Sequence, residues 1–234
     1  MSGWSLRWKE RPAGPAAVID GSGLRPDRLG TLAWKDVQSA KILVGRLERR
    51  LEEIFEISPL GFLEEGPGLE VEGSTRMVRL GEGMAHGVLK VRGDAGSIQG
   101  LLGGEVLVSG NAGPEVGLGQ RSGLIAVAGR VDGFVGRHLR AGTILVSQGE
   151  LELPGLGMRR GTILALGGKP RLASGFERDG IVCPTWLRLL ARRLGALGFE
   201  AAHQLNSLLE SGHPLESWSG DHLSLGRGEV LFPA

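Results

Sequence analysis

The sequence has one cysteine, no tyrosine and only 5% aromatic residues. A single cysteine, Cys183, excludes an internal disulfide and the cysteine-rich zinc and iron–sulfur sites, and we expect it to be a small buried side chain. The five histidines show no metal-ligand spacing such as HExxH. The numbers and spacing of cysteine and histidine therefore predict no metal site. The low share of aromatic residues also argues against a surface that stacks single-stranded bases.

The sequence also lacks an excess of positive or negative charge and has no long hydrophobic run. The chain has 27 basic and 26 acidic residues, a net charge of +1, which shows no nucleic-acid or membrane-surface footprint. No apolar run is long enough to span a membrane. Trp4, Leu6 and Trp8 alternate with polar residues, which indicates a strand rather than a signal peptide. We expect a cytoplasmic protein without nucleic-acid or membrane partners.

Motifs of common catalytic sites are likewise missing. No GxSxG, Walker A or Rossmann glycine motif in its strand–helix context occurs. Glycine, by contrast, is abundant: 41 of the 234 residues, against a typical share of about 7%. Because proline is ordinary at 11 residues, this indicates many turns within a regular structure rather than collagen or a flexible linker.

The middle of the chain repeats. Gly104, Gly123, Gly142 and Gly161 follow one another at intervals of 19 residues, and each precedes a short apolar run. The run after Gly104 is Glu-Val-Leu-Val-Ser, and the run after Gly142 is Thr-Ile-Leu-Val-Ser. An earlier copy begins at Gly87, 17 residues before Gly104. A unit of this size with one short strand cannot bury its own face, so the units must stack.

The repeat predicts which side chains lie inside. Residues two apart on a strand point the same way, so the second and fourth residues after each glycine should line the interior. The intervening column is largely apolar too, which predicts that the outer face is covered. The interior columns are Leu89, Val106, Ile125, Ile144 and Ile163, and Val91, Val108, Val127, Val146 and Ala165; the outer column is Lys90, Leu107, Ala126, Leu145 and Leu164.

These patterns predict a mainly β fold: a right-handed parallel β-helix with glycine-rich rungs of about 19 residues. We divide the chain into a mixed N-terminal segment (1–70), the β-helix repeat domain (71–176), and C-terminal helices with a tail strand (177–234). Apolar residues at helical spacing from Trp186 to Leu209 predict the helical cover. Within 41–57 the pattern leaves a helix or two short strands open, and Pro26 is predicted to open a short helix through Leu32 and Trp34.

One feature of the repeat is not explained by core packing. Arg121, Arg140 and Arg159 each stand two residues before a rung glycine, so they should form a ladder on one edge of the stack. His138 and Arg160 lie nearby in the repeat. One interpretation is that the long side chains extend into solvent or bond turn carbonyls. The functional hypothesis is a track for an acidic partner or a ligand with several carboxylates.

Several stretches resemble a known superfamily. The segment Gly155-Leu-Gly157-Met158, with Gly161-Thr-Ile after it, resembles the G-x-G-M-x-x-G-T-I pattern of the GXGXG β-helix repeat. That repeat is shared by the glutamate synthase C-terminal domain and the β-helical subunit of formylmethanofuran dehydrogenase. Gln120-Arg121 and His138-Leu139-Arg140 depart from the pattern where Met-x-x is usual.

The two ends favour the second family. Leu24-Arg-Pro-Asp27, followed by Ile54-Phe-Glu-Ile57, resembles its N-terminal segment. Gly220-Asp221 and the stretch Gly226-Arg-Gly-Glu-Val-Leu231 resemble its C-terminal ending. The resemblance implies a β-helical subunit with no active site and no catalytically bound cofactor of its own.

The family resemblance implies a complex in one-carbon metabolism. In its bacterial branch, a formyltransferase/hydrolase complex passes a formyl group from formyl-tetrahydromethanopterin to a furan cofactor (methanofuran or methylofuran) and hydrolyses it to formate. The implied partners are amidohydrolase-like and formyltransferase subunits. These furan cofactors can carry glutamate-rich tails, and we infer that Arg121, Arg140, Arg159, Arg160 and His138 contact such a tail.

Other functions stay open. One is the equivalent β-helical subunit of the archaeal molybdenum or tungsten formylmethanofuran dehydrogenase, although a composition rich in arginine and poor in lysine favours the bacterial branch. A second is a glutamate synthase-type β-helix protein in nitrogen assimilation, which should lack the Gly220–Leu231 ending. A third is an independent enzyme or carbohydrate-binding β-helix, which usually shows acidic pairs or aromatic rows on one face.

Overall fold

The computed structural model describes residues 3–10, 18–60, 66–224 and 226–234. It confirms the predicted β-helix: the fold is mainly β and 18% helical, with a solenoid of about five turns whose coils stack in parallel. The strands are β1 (Gly3–Trp8), β2 (Ile19–Asp20), β3 (Lys41–Val44), β4 (Leu47–Arg50), β5 (Phe55–Leu60), β6 (Gly68–Ser74), β7 (Met77–Val78), β8 (Val88–Ala95), β9 (Glu105–Val108), β10 (Leu124–Val127), β11 (Thr143–Val146), β12 (Thr162–Ala165), β13 (Glu177–Val182), β14 (Leu215–Gly220) and β15 (Gly228–Pro233). The helices are α1 (Pro26–Leu29), α2 (Trp34–Ser39), α3 (Leu51–Ile54), α4 (Trp186–Ala196) and α5 (Ala202–Glu210).

The rungs pair in the register that the glycine spacing predicts. In the described residues one sheet has eleven strands, in the order β13-β14-β15-β12-β11-β10-β9-β8-β6-β1-β5. Ile125 lies beside Val106 on one side and Ile144 on the other, and Ile144 lies beside Ile163. The predicted interior columns are buried in one apolar cluster. Like side chains thus stack along the solenoid axis and form its core.

Both ends of the chain extend this sheet. Strand β1 pairs in parallel with β6, which confirms the predicted N-terminal strand, and β15 pairs in parallel with β12. Strand β6 crosses the boundary that we placed between residues 70 and 71, and it pairs with β8 as an earlier rung. The division into three domains itself stays a prediction.

The N-terminal segment forms a small sheet against the first coils. Strands β4, β3, β2 and β7 lie in that order. Residues 41–57 contain β3, β4, the one-turn helix α3 and the start of β5, so this stretch is mainly strand rather than one helix. Helix α1 begins at Pro26 as predicted but ends at Leu29, before Leu32 and Trp34. The Arg79 guanidinium pairs with Asp20 and with Glu82, and its hydrogen bond lowers the pKa of the Glu82 carboxyl.

The predicted helical cover is confirmed. Helices α4 and α5 bury the outer column of the solenoid in a second apolar cluster. That cluster joins Leu107, Leu124, Ala126, Leu145, Leu164 and Leu231 of the sheet to Leu187, Ala191, Leu194, Phe199 and Leu205 of the cover. Where the outer column carries Lys90, its ammonium donates to the carbonyl oxygen of Leu197 at 2.6 Å, at the end of α4. Arg193 holds the Glu105 carboxylate with two hydrogen bonds of 2.8 Å.

One expectation from the sequence is wrong. Cys183 is exposed instead of buried. It follows strand β13, which pairs on one side with β14 and lies at the end of the sheet, so among the described residues no further strand lies beside β13. Burial of a single small side chain depends on which element lies beside it, and the local sequence does not encode that.

A polar residue interrupts one interior column. Gln120 is 0% exposed and lies where neighbouring coils place Leu101, Leu139 and Met158. Its amide nitrogen donates to the carbonyl oxygens of Ser122 (3.2 Å) and Gly123 (2.9 Å), while its side-chain oxygen has no hydrogen-bond partner among the residues that the structure describes. A buried polar atom without a partner costs about 1–3 kcal/mol.

We expect Gln120→Met to be tolerated. The gain from removing the unpaired oxygen offsets the two lost hydrogen bonds, each worth about 0.5–1.5 kcal/mol, so the free energy of unfolding should change by less than about 1 kcal/mol. Gln120→Ala, which leaves a cavity, should destabilise the protein more. Urea unfolding of both variants measures this. A loss of more than about 2 kcal/mol in Gln120→Met would show that the two amide hydrogen bonds dominate.

Candidate anion-binding edge

The predicted arginine ladder is present at one edge of the solenoid. In three successive coils a buried residue (Gln120, Leu139 or Met158) is followed directly by an exposed arginine. The backbone N–H groups of Arg121, Arg140 and Arg159 donate to the carbonyl oxygens of Leu101 (2.8 Å), Gln120 (2.8 Å) and Leu139 (2.7 Å). These hydrogen bonds place the three arginines in register, one coil apart.

The side chains of the ladder face solvent. Arg121, Arg140 and Arg159 are exposed, and within the described ranges none of the three makes a side-chain hydrogen bond or an ion pair. Arginines of other columns do have acidic partners: Arg137 pairs with Glu115 at 2.7 Å and Arg171 with Glu152 at 2.9 Å. The ladder therefore presents repeated positive charge that no carboxylate of the described residues pairs with.

His138 lies on the same side of the coil as the ladder, in an unusual backbone conformation. Its φ is +55°, and the equivalent residues of the adjacent coils are Gly119 (φ +63°) and Gly157 (φ +72°). The histidine therefore replaces the second glycine of the G-x-G pattern, and it is the buried Leu139 that takes the place of Met158. A Cβ on Gly157 would lie 2.5 Å from His138 Nδ1, so the exposed imidazole packs against the backbone of Gly157 in the next coil.

The last coil adds two more cations. Arg160 is exposed and follows Arg159 directly. Strand β15 places Arg227 beside it, because Thr162 pairs with Glu229, and the Arg227 N–H donates to the Arg159 carbonyl oxygen at 2.7 Å. Arg227 is exposed and, in the part of the chain that the structure describes, its side chain has no ionic partner.

Arg227 is not among the residues predicted from the sequence. A signal was present, because Gly228-Glu-Val-Leu231 repeats the rung pattern of Gly161-Thr-Ile-Leu164. The two segments are separated by the helical cover, so spacing alone does not connect them. The Thr162 hydroxyl donates to the Glu229 carboxylate at 2.6 Å, across 67 residues of sequence. The structure thus brings Arg121, Arg140, Arg159, Arg160 and Arg227 together along one edge.

Other candidate sites are less developed. A cleft of about 420 Å³ lies between the solenoid and the turn from α4 to α5, with Lys90, Arg92 and Glu200 in its lining. Within the described residues, no cluster of three or more histidine, cysteine, aspartate or glutamate side chains is placed to bind a metal ion. The described helices are all too short or too polar to cross a bilayer.

Comparison with solved structures identifies a relative over nearly the whole chain. The chain is similar to a chain in the crystal structure of the formyltransferase/hydrolase complex (FhcABCD) from Methylorubrum extorquens in complex with methylofuran. The two are 30% identical, the match covers 98% of this chain and 99% of that one, and the TM-score is 0.63. The chain belongs to the family of that formyltransferase/hydrolase chain. No protein-family model matches it, and a search of the curated proteins finds no similar one.

Membership of the formyltransferase/hydrolase family agrees with the resemblance noted at both ends of the sequence. The match extends over nearly the whole of both chains, so it includes the N-terminal segment and the tail strand as well as the shared repeat. The relative comes from a complex of several subunits that binds methylofuran.

Proposed function

We propose that this chain is a non-catalytic scaffold subunit, the β-helical one, of a cytoplasmic formyltransferase/hydrolase complex. The complex would convert formyl-tetrahydromethanopterin to formate through a furan cofactor. Its other subunits would include an amidohydrolase-like chain and a formyltransferase chain. The observation that carries this proposal is the end-to-end similarity, at 30% identity, to a chain of such a complex.

The packing of the solenoid supports a scaffold role. Interior columns from Leu89 to Phe232 form one close-packed apolar cluster, and α4 and α5 cover the outer face with a second cluster. Close-packed interiors deform little and hold their surfaces in place. The solenoid therefore presents fixed edges, against which partner chains and ligands can be positioned.

The arginine ladder supports a contact with the anionic tail of the furan cofactor. Guanidinium groups bind carboxylates through paired hydrogen bonds, and a row of them suits a ligand that carries several carboxylates. Arg121, Arg140 and Arg159 repeat at the coil spacing and are exposed, with Arg160 and His138 beside them. We propose that these five residues hold a glutamate-rich tail and that the chain binds no cofactor catalytically.

Purification of the native complex tests the subunit assignment. The tagged full-length chain would be recovered from its own cells, and its co-purifying chains identified by mass spectrometry. We expect an amidohydrolase-like chain and a formyltransferase chain. Recovery of a molybdenum or tungsten subunit would indicate the dehydrogenase branch instead. Recovery of glutaminase and flavin subunits would contradict the proposal.

The ladder is tested by the variant Arg121→Ala/Arg140→Ala/Arg159→Ala. Exposed ion pairs contribute about 0.2–1 kcal/mol each, so loss of three should weaken retention of the furan cofactor by between about threefold and a hundredfold. Assembly of the complex should be unchanged, because the three side chains contact no other described residue through hydrogen bonds or ion pairs. The measurement is the cofactor content of the purified complex after washing at moderate salt.

The matched control is Arg192→Ala. Arg192 is an exposed arginine on α4, on the cover rather than on the ladder edge. Cofactor content in this variant should equal that of the unmodified complex. If the triple variant also retains the cofactor at the unmodified level, the ladder does not bind the tail. If it no longer assembles, the ladder binds a partner chain instead.

A further inference from the structure

We infer that Arg227, held in place by Asp221, is the terminal cation of the ladder, so that the edge binds a run of about four carboxylates. This inference rests on the proposed function of the ladder. It adds a binding residue that comes from the C-terminal tail and a positioning residue that acts through it. It also specifies the ligand as an extended oligocarboxylate of a minimum length.

The backbone places Arg227 one level beyond Arg159 and Arg160. Strand β15 continues the parallel sheet after β12, with Ile163 beside Val230 and Thr162 beside Glu229. The same register puts Arg227 next to Arg160, and its N–H group donates to the Arg159 carbonyl oxygen at 2.7 Å. The cations thus occupy four successive levels: Arg121, Arg140, the Arg159–Arg160 pair, and Arg227.

The tail around Arg227 is tightly seated. A Cβ on Gly226 would overlap the Met158 carbonyl oxygen, and a Cβ on Gly228 would overlap the Met158 side chain. The residues on either side of Arg227 therefore lie against the last coil with no room for a side chain. Because the flanking backbone is held at this distance, the Arg227 side chain has to project from the edge.

Asp221 joins the tail to the coil that carries the ladder. It is 3% exposed, and its carboxylate accepts hydrogen bonds from the N–H groups of Gly157 and Leu223, each at 3.1 Å. Its backbone carbonyl accepts from the Gly226 N–H at 2.8 Å. Asp221 thus forms hydrogen bonds both with the turn before Arg159 and with the loop before Arg227. Asp221 has its effect through the position of Arg227, so it is a positioning residue.

The spacing of the levels defines the ligand. Neighbouring strands lie about 4.8 Å apart, so four levels span about 14 Å at the backbone. Like charges at this spacing repel, and carboxylates that bind between or across them remove the repulsion. An extended oligoglutamate presents carboxylates along such a length, and it needs about four of them to reach from Arg121 to Arg227. Shorter oligomers occupy part of the edge and gain less.

Binding of oligoglutamates of defined length tests the inference. The full-length chain would be titrated with diglutamate and hexaglutamate at low salt, and binding measured by calorimetry. We expect Arg227→Ala to weaken hexaglutamate binding by about twofold to fivefold, the loss of one exposed ion pair, and diglutamate binding by less than about twofold. Arg227→Lys should restore part of the loss, because the charge remains while the planar fork is lost. Arg192→Ala should change neither.

Asp221→Asn tests the positioning role. Hexaglutamate binding should weaken no more than in Arg227→Ala, and the double variant should bind like Arg227→Ala alone, because both changes act on one contact. A structural effect on the whole edge would instead add to the effect of Arg227→Ala and would show that Asp221 does not act through Arg227. If Asp221→Asn does not fold, the comparison of Arg227→Ala with Arg227→Lys still decides whether Arg227 binds the ligand.

The outcomes separate this inference from the proposed function. If the Arg121, Arg140 and Arg159 variants bind hexaglutamate as Arg192→Ala does, the ladder is not an anion site and both proposals are wrong. If those variants weaken binding while Arg227→Ala does not, only the present inference is overturned. An equal loss for diglutamate and hexaglutamate in Arg227→Ala would also overturn the minimum length of the ligand.

Discussion

Replacement of Gly161 by alanine is expected to be among the most destabilising single changes in the solenoid. Gly161 has a φ of +101°, and a Cβ there would lie 2.6 Å from the carbonyl oxygen of Gly142 and 3.0 Å from a methyl group of Leu139. The backbone conformation alone costs an L-residue about 1–3 kcal/mol. The overlap should add about another 1–3 kcal/mol. The opposing Gly142 carbonyl cannot move freely, because it accepts the backbone hydrogen bond from Thr162 of the next coil.

Gly93→Ala is the matched control for this prediction. Gly93 has a similar φ of +92°, but no atom of the described residues outside its immediate chain neighbours lies within 4 Å of the position of its Cβ. It should therefore lose only the conformational part, about 1–3 kcal/mol. Chemical unfolding of both variants measures the difference. Equal losses would mean that the rungs can separate to admit a methyl group, and the close stacking of the rung glycines would then have no energetic role.

Truncation of the helical cover is expected to have an effect of similar size. Leu194 of α4 is 0% exposed and belongs to the apolar cluster that includes Leu145 and Leu164 of the sheet. A buried leucine replaced by alanine typically costs about 2–5 kcal/mol. We expect Leu194→Ala to lower the free energy of unfolding by this amount and to increase proteolysis between α4 and α5, because the cover is held mainly by this cluster.

Leu189→Ala provides the comparison on the same helix. Leu189 is 66% exposed, so the substitution keeps the helix and removes little buried area. Its free energy of unfolding should stay within about 0.5 kcal/mol of the unmodified protein. If Leu194→Ala were as stable as Leu189→Ala, the cover would not contribute to stability, and the outer column of the solenoid would not need it.

The repeat could be predicted from the sequence because its physical requirements are local. Each rung needs a glycine at positive φ before the strand and two inward apolar residues, and these recur every 19 residues from Gly104 to Gly161. The ladder positions Arg121, Arg140 and Arg159 followed from the same spacing. The need for a cover followed from the outer column, since apolar side chains on a second face have to be buried.

The rest depended on contacts between segments that are distant in sequence. Pairing of β15 with β12, and of β1 with β6, satisfies the open edges of a parallel sheet, and many strands of suitable length would satisfy them equally. The position of Arg227, the hydrogen bond from Gly157 to Asp221 and the exposure of Cys183 all follow from such pairings. His138 shows a further limit, because a histidine at positive φ takes a position that the pattern assigns to glycine.

In this chain the local sequence specifies the rung and its two apolar faces. It also specifies the three arginines, Arg121, Arg140 and Arg159, that recur with the same 19-residue interval. Backbone conformation and side-chain direction at these positions depend on near neighbours in the chain, and a regular repeat displays them directly. Which strands close the sheet became known from the folded structure alone, and with it the continuation of the cationic edge to Arg227. Pairing across the helical cover depends on the free energy of the whole assembled sheet, which no single segment carries.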